Sequence, residues 1–164
     1  MTRFRRGHSA RCAVGFSLIE LLVVLAVLGT LALMAMPLAE LTVQRDREKD
    51  LKRALWEIRD AIDAYKRMGD AKEIAVSAGG SGYPPNLDAL VNGVPTTKID
   101  QPTWYFLRRI PRDPFAPEDV PAEKTWGLRS FQSPADRPAT GADVFDVYSL
   151  SDKVGLNGIA LKDW

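Results

Sequence analysis

"RCAVGFSLIELLVVLAVLGTLALMAMPLAE", Arg11–Glu40, decides how the rest of the chain is read. From Phe16 to Ala39 it holds one charged residue, Glu20. At about 1.5 Å per residue a 24-residue helix reaches roughly 36 Å, enough for a hydrocarbon core of about 30 Å. A carboxylate at that depth costs about 3 kcal/mol on insertion scales, so it calls for a partner and a reason.

The flanks orient the segment. Residues 1–15 carry Arg3, Arg5, Arg6 and Arg11 and no acid, while residues 16–164 sum to −3. Basic residues ahead of a span stay in the cytoplasm, which predicts that the C-terminal part lies across the membrane. A secretory signal peptide has a short apolar core followed by a small-residue cleavage site. Here the run is longer and its small residue, Gly15, comes first. A plain signal anchor fits the length but leaves Glu20 without a role. The only cysteine, Cys12, and the only histidine, His8, precede Phe16. A chain cut at that point has no disulfide, no thiolate or imidazole metal site and no Cys/His or Ser/His pair.

The segment "GFSLIELLVVLAVLGTLALMAMPLAE" resembles the N-terminal signature of type IV pilins and of the pseudopilins of type II secretion systems. The resemblance implies a basic leader, residues 1–15, cut after Gly15 on the cytoplasmic side by a prepilin peptidase. Phe16 then becomes the first mature residue and is N-methylated. Glu20 becomes the fifth mature residue and Pro37 the twenty-second, both typical of the family. Cleavage frees an α-amine on Phe16, cationic at neutral pH. In a helical filament Glu20 of one subunit then pairs with the Phe16 amine of a neighbour, an assembly register. Its own Phe16 amine, one helical turn away, is the alternative. Each buried charge is strongly penalised when left alone. Pro37 predicts a kink or local melting. Gly29 suits the same flexibility or a helix-packing notch.

Beyond the run, Leu51, Ala54, Leu55, Ile58, Ala61, Ile62 and Tyr65 recur at helical spacing among charged residues. The pattern predicts one helix from about Phe16 to Met68, bent near Pro37 and stopped by Gly69, whose second half backs onto a globular head. Four parts follow: the leader 1–15, a transmembrane and assembly helix 16–38, its amphipathic continuation 39–68, and the head 69–164. The mixed-charge run Gln44–Arg53 reads as a solvated helix face. In the head, Ser77–Asn86 reads as a loop and Asn86 as the cap of a short helix, Leu87–Val91. Ile110–Pro117 reads as a rigid connector. Lys124–Phe131, Asp143–Leu150 and Ile159–Trp164 read as strands. The expected fold is α+β, a long helix packed by a small antiparallel sheet. "GYPPNLDALV", "LRRIPRDPF" and "DVFDVYSL…DW" look like stretches of the major pseudopilin of type II secretion, in the same order. Two departures stand out: Ala116–Gly141 is longer, and the loop after Leu150 is shorter and less acidic than the calcium loop of that group.

Calcium takes six to eight oxygens, usually with several carboxylates. Leu150, Ser151, Asp152 and Asn157 are the candidate donors, and a Gly/Asn turn between strands is the favoured reading. No other cofactor is expected. Asp143 and Asp146 read as solvated edge acids, and with no nucleophile motif, phosphate loop or metal cluster beside them no enzymatic activity is expected. Arg108, Arg109 and Arg112 near Trp104, Tyr105 and Phe106 suggest nucleic-acid contact, against solvated arginines beside buried aromatics, the preferred reading. The resemblance implies a bacterial inner-membrane subunit, N-terminus cytoplasmic and head periplasmic. It would polymerise with copies of itself and other pseudopilins on an inner-membrane secretion platform. A type IV pilus pilin for adhesion, motility or DNA uptake is the alternative.

Overall fold

The structure, a computed structural model, describes residues 15–76, 80–97, 100 and 102–164, without the side chains of residues 33–39. The leader before Gly15, with His8 and Cys12, and the loop residues 77–79 lie outside the described residues. The chain divides between Leu41 and Thr42 into two compact units.

Helix α1, Leu18–Asp70, runs through both units. It is not interrupted at Pro37, so the local melting expected there is not seen; the proline side chain lies outside the described ones. In the N-terminal unit every described large apolar side chain from Phe16 to Leu31 is exposed. Among the described residues no helix is long and apolar enough to cross a membrane. The helical part of the apolar run with described side chains, residues 18–32, falls short of the about 20 residues a span needs.

The second unit is an α+β head in which the C-terminal half of α1 packs against two small antiparallel sheets. All seven apolar positions of the helical pattern, Leu51 to Tyr65, are buried. They meet Ile74, Leu87, Leu90, Val94, Leu107, Trp126, Val144, Val147 and Leu161 in one core. Burying such a side chain contributes about 1.5–3 kcal/mol, and the helix supplies nearly half of them. Helix α2, Asp88–Asn92, drops Leu90 into that core. Leu87 already has helical backbone angles, so Asn86 is the cap, and its Oδ1 accepts the Ala89 N–H at 2.9 Å. Strands β1, Val94–Pro95, and β2, Thr103–Trp104, form a sheet too short to leave a periodic signal.

Strands β3, Trp126–Arg129, and β4, Asp146–Ser149, form the second sheet within two of the predicted runs. Its register pairs Trp126 with Ser149 and Leu128 with Val147, and on the other face Gly127 with Tyr148 and Arg129 with Asp146. Tyr148 lies directly over Gly127: a Cβ there would come within 2.3 Å of the ring. The third predicted strand, Ile159–Trp164, is a misreading. Only Ala160 pairs, with Val154, and Leu161–Asp163 is a 3₁₀ turn. A strand would send Leu161 and Trp164 to opposite faces. A three-residue turn puts both on one side, where Leu161 is buried and Trp164 packs against the core.

Gly69 is not the stop either. The helix continues to Asp70, and the Glu73 N–H donates to Met68 O while the Lys72 N–H donates to Gly69 O. Those two bonds are a Schellman motif with Lys72 at its left-handed position, φ 57°. Gly69 is needed for close approach, since a Cβ on it would meet Val76 at 2.9 Å. The left-handed conformation costs an L side chain about 1–2 kcal/mol, and Lys72 is exposed. Lys72→Gly should therefore raise the melting temperature by about 4 °C, while Lys72→Val lowers it. Thermal denaturation followed by circular dichroism measures both.

Candidate functional site

Gly15, Phe16 and Ser17 precede α1, and the Leu21 N–H already donates to Ser17 O at 3.1 Å. Glu20 therefore sits in the first turn, where the unpaired N–H groups of the helix favour a negative charge. It is exposed and makes no ion pair or hydrogen bond among the described residues. Further along, the Thr30 hydroxyl donates to Val27 O at 2.8 Å, which satisfies a polar group on an otherwise apolar helix. A Cβ on Gly29 would meet nothing within 4 Å. The glycine is a gap in the helix surface that its own chain does not fill.

In the head, chemistry-bearing residues converge at three places that the sequence does not announce. Arg59 of α1 donates from Nε to Asp146 Oδ1 at 2.8 Å, and from Nη2 to Val147 O at 3.0 Å and Trp164 O at 2.8 Å. Arg129 of β3 takes the other carboxylate oxygen, Nη2 to Oδ2 at 3.1 Å, and its guanidinium lies 4.6 Å from the centre of the Phe145 ring. The Arg59–Asp146 pair thus joins helix, sheet and Trp164. The second place is Asp113 of "IPRDPF", 1% exposed. It accepts the Ser149 hydroxyl at 2.5 Å and the Phe115 N–H at 2.7 Å. The same connector accepts the Trp126 indole N–H at Pro111 O, 2.8 Å away.

The third is Asp143. It accepts the Ser81 hydroxyl at 2.5 Å, the Ser130 hydroxyl at 2.9 Å and the Phe131 N–H at 2.8 Å. Burial pushes its carboxyl up, but these three donors outweigh burial and hold it below the usual aspartate value of 3.8. Asp143 and Asp146 are therefore not solvated edge acids. Asp143, outside β4, fastens the loop at Ser81 to the end of β3, and Asp146 fastens α1 to the sheet. Sequence separation hid this: Arg59 and Asp146 are 87 residues apart.

The candidate calcium segment forms a tight hairpin. The Gly155 N–H donates to Ile159 O and the Gly158 N–H to Gly155 O, with Gly158 at φ 79°. Asn157 Oδ1 is occupied by the Ile159 N–H at 3.0 Å. Asp152 is exposed, and Leu150 and Ser151 lead into the turn. Among the described residues no three His, Cys, Asp or Glu side chains gather to hold a metal ion. The hairpin is tied to α1 by Glu48, whose Oε1 accepts the Leu156 N–H at 2.8 Å. One member of the mixed-charge run thus faces the head rather than solvent.

The arginine cluster separates. Arg112 donates to Val120 O and Pro117 O and closes its own loop. Arg108 and Arg109 are exposed. Of the aromatics only Phe106 packs inward, against Tyr65 at 5.4 Å between ring centres. Trp104 and Tyr105 are exposed, against the expectation that they are buried. Comparison of the chain with protein-family models, with curated proteins and with solved structures finds no match.

These contacts fix two outcomes. Asp146→Asn should lower head stability by about 1–2 kcal/mol, because hydrogen bonds to charged groups are worth about 1.5–3 kcal/mol and this one is partly exposed. Chemical denaturation reads it. A carboxyl held low contributes stability above its ordinary pKa and loses it as pH falls through its folded value. Acid unfolding of Asp143→Asn should accordingly be shallower below about pH 4 than that of the parent.

Proposed function

We propose that the chain is a structural pseudopilin, a subunit that polymerises through its N-terminal helix into the periplasmic pseudopilus of a type II secretion system and so drives export of folded proteins. The observation that carries the reading is the order Gly15–Phe16, then Glu20, then an apolar run to Ala39, on a helix that continues into a globular head. The leader stays in the cytoplasm, and residues 16–38 lie in the inner membrane until the subunit is extracted.

Two features support it. The apolar side chains from Phe16 to Leu31 are exposed on every side of α1, with Phe16 itself 82% exposed. A helix apolar all round needs lipid or other helices around it. Glu20 has no partner among the described residues, and a filament supplies one in a neighbour's Phe16 amine. Calcium has no part in this reading.

Mass spectrometry of membrane-extracted protein should show a chain that starts at Phe16 and is one methyl heavier than its sequence. An intact Met1 start in cells with the peptidase overturns the reading. Glu20→Leu removes a buried charge, so membrane levels and leader cleavage should stay normal. Methylation, filament yield and secretion should drop, because the neighbour's amine is left unpaired. Glu20→Gln should fall between. A Leu variant that polymerises like the parent removes the register role.

A further inference from the structure

Two clefts adjoin on the head where α1, the second sheet and the C-terminal turn come together. The first, about 440 Å³, is lined by Arg129, Asp146 and Tyr148 of the sheet and by Pro138 of the β3–β4 loop. The second, about 280 Å³, is lined by Lys52 and Trp56 of α1 and by Asn157 and Ile159 of the hairpin. Arg59, Asp163 and Trp164 line both. Local structure brings these residues to one surface. Lys52, Trp56 and Arg59 recur at helical spacing on one face of α1. β4 buries Val147 and Ser149, so alternation turns Asp146 and Tyr148 to the other face. Tyr148 lies over Gly127, which has no side chain to lift the ring off the sheet.

The charges in the clefts are interleaved by sign. Together the linings hold four cations, Lys52, Arg59, Arg129 and Lys162, and three carboxylates, Asp136, Asp146 and Asp163. Asp146 pairs with both arginines, Asp136 with Arg137, and Lys162 and Asp163 are consecutive. Lys52 lies 4.4 Å from the centre of the Trp164 ring and so covers one face of it. An anion or a cation gains little from such a near-balanced set, and a zwitterion needs the two signs set apart. What remains is a scatter of single donors and acceptors. The Tyr148 hydroxyl, the Lys162 ammonium and the Asp163 carboxylate make no bond among the described residues. Asn157 has its Oδ1 taken by the Ile159 N–H and keeps its amide donors. Two rings stand beside these groups: Trp56, 75% exposed, and Tyr148, half-buried.

We infer that the adjoining clefts bind a neutral saccharide of more than one ring. A sugar ring has an apolar face of C–H groups that packs on an aromatic face. Its hydroxyls each donate and accept, so they are met by donors and acceptors that alternate rather than by a patch of one sign. One sugar ring rests on Tyr148 and another on Trp56. Asp163, common to both clefts, accepts hydroxyls from either, and Lys162 and the Asn157 amide donate to them. The two clefts fall in or near the size range of small-ligand sites, about 300–1,000 Å³. The inference does not rest on the filament reading, and it gives the exposed tryptophan a role that the apolar run does not.

The test uses the full chain, extracted from membranes in a detergent without a sugar headgroup. Maltotriose, cellotriose and chitotriose are each titrated into it by calorimetry. At least one should bind saturably, and raising the salt concentration should leave its affinity unchanged, because a neutral ligand is not screened. Trp56→Ala and Asp163→Ala should each weaken binding about tenfold. Circular dichroism should show both variants folded, since both positions are exposed. Failure of all three sugars to bind overturns the inference, and so does binding that Trp56→Ala leaves unchanged. Binding confined to an acidic sugar, tri-galacturonate, and lost at high salt overturns the neutral class. Loss of filaments in Trp56→Ala, with no sugar bound by the parent, assigns the ring to a contact between subunits instead.

Discussion

The apolar face of α1 from Leu51 to Tyr65 is the constraint on which the head depends. Among the described residues the head has two two-stranded sheets, and an isolated pair of strands is marginal in water. Neither sheet has enough apolar area to stand alone. Each drops one or two side chains onto the helix: Val94 from the first, Trp126 and Val147 from the second. The short helix adds Leu90 and the final turn Leu161. Truncating a buried leucine or isoleucine costs about 2–5 kcal/mol, a large share of the 5–15 kcal/mol that holds a domain together. The helix is therefore the scaffold, and everything after Gly69 is arranged around it.

Polar contacts do for the loops what periodicity does for the helix. Asp143 and Asp146 each accept at least two donors from distant segments, and Asp113 accepts one from Ser149 and one from its own turn. Long stretches without regular structure need their backbone groups satisfied and their paths fixed. A carboxylate that accepts several bonds can do both with one side chain. Arg59 is the counterpart on the helix, reaching a side chain and two main-chain carbonyls at once. The planar guanidinium, with its fork of donors, suits that task better than an ammonium.

What the sequence makes legible follows from the range of each interaction. The helix, its buried face and the cap at Asn86 depend on residues within four positions of one another, and they read correctly. β3 and β4 alternate over enough residues to be found, though each is shorter than its apolar run. β1 and β2, two residues each, have no period to detect. Ile159–Trp164 has strand-like composition, but its outcome is decided by where Leu161 and Trp164 find the core. Gly69 looks like a helix stop by residue type, while the left-handed position falls three residues later on Lys72. The carboxylate clamps join residues far apart in sequence, and Asp143 and Asp146 accordingly look like surface acids. The N-terminal segment is the reverse case: its pattern is plain in the sequence, and its described apolar side chains are exposed.

That contrast divides the labour within one helix. Residues Phe16–Leu31 expose apolar side chains all round, with no apolar face covered among the described residues. Residues Leu51–Tyr65 bury one stripe and are stabilised by their own head. Helices short of stabilising contacts are marginal in water even when propensity is high, whereas lipid or neighbouring helices would satisfy such a first half without specific contacts. Specificity then falls to the few groups that lipid cannot satisfy. In the first half that group is Glu20, exposed and without a partner among the described residues. On the reading proposed above, such a subunit would exchange lipid for neighbouring helices without refolding its head. On that reading a polar group such as Glu20, rather than the apolar run, would set how copies align.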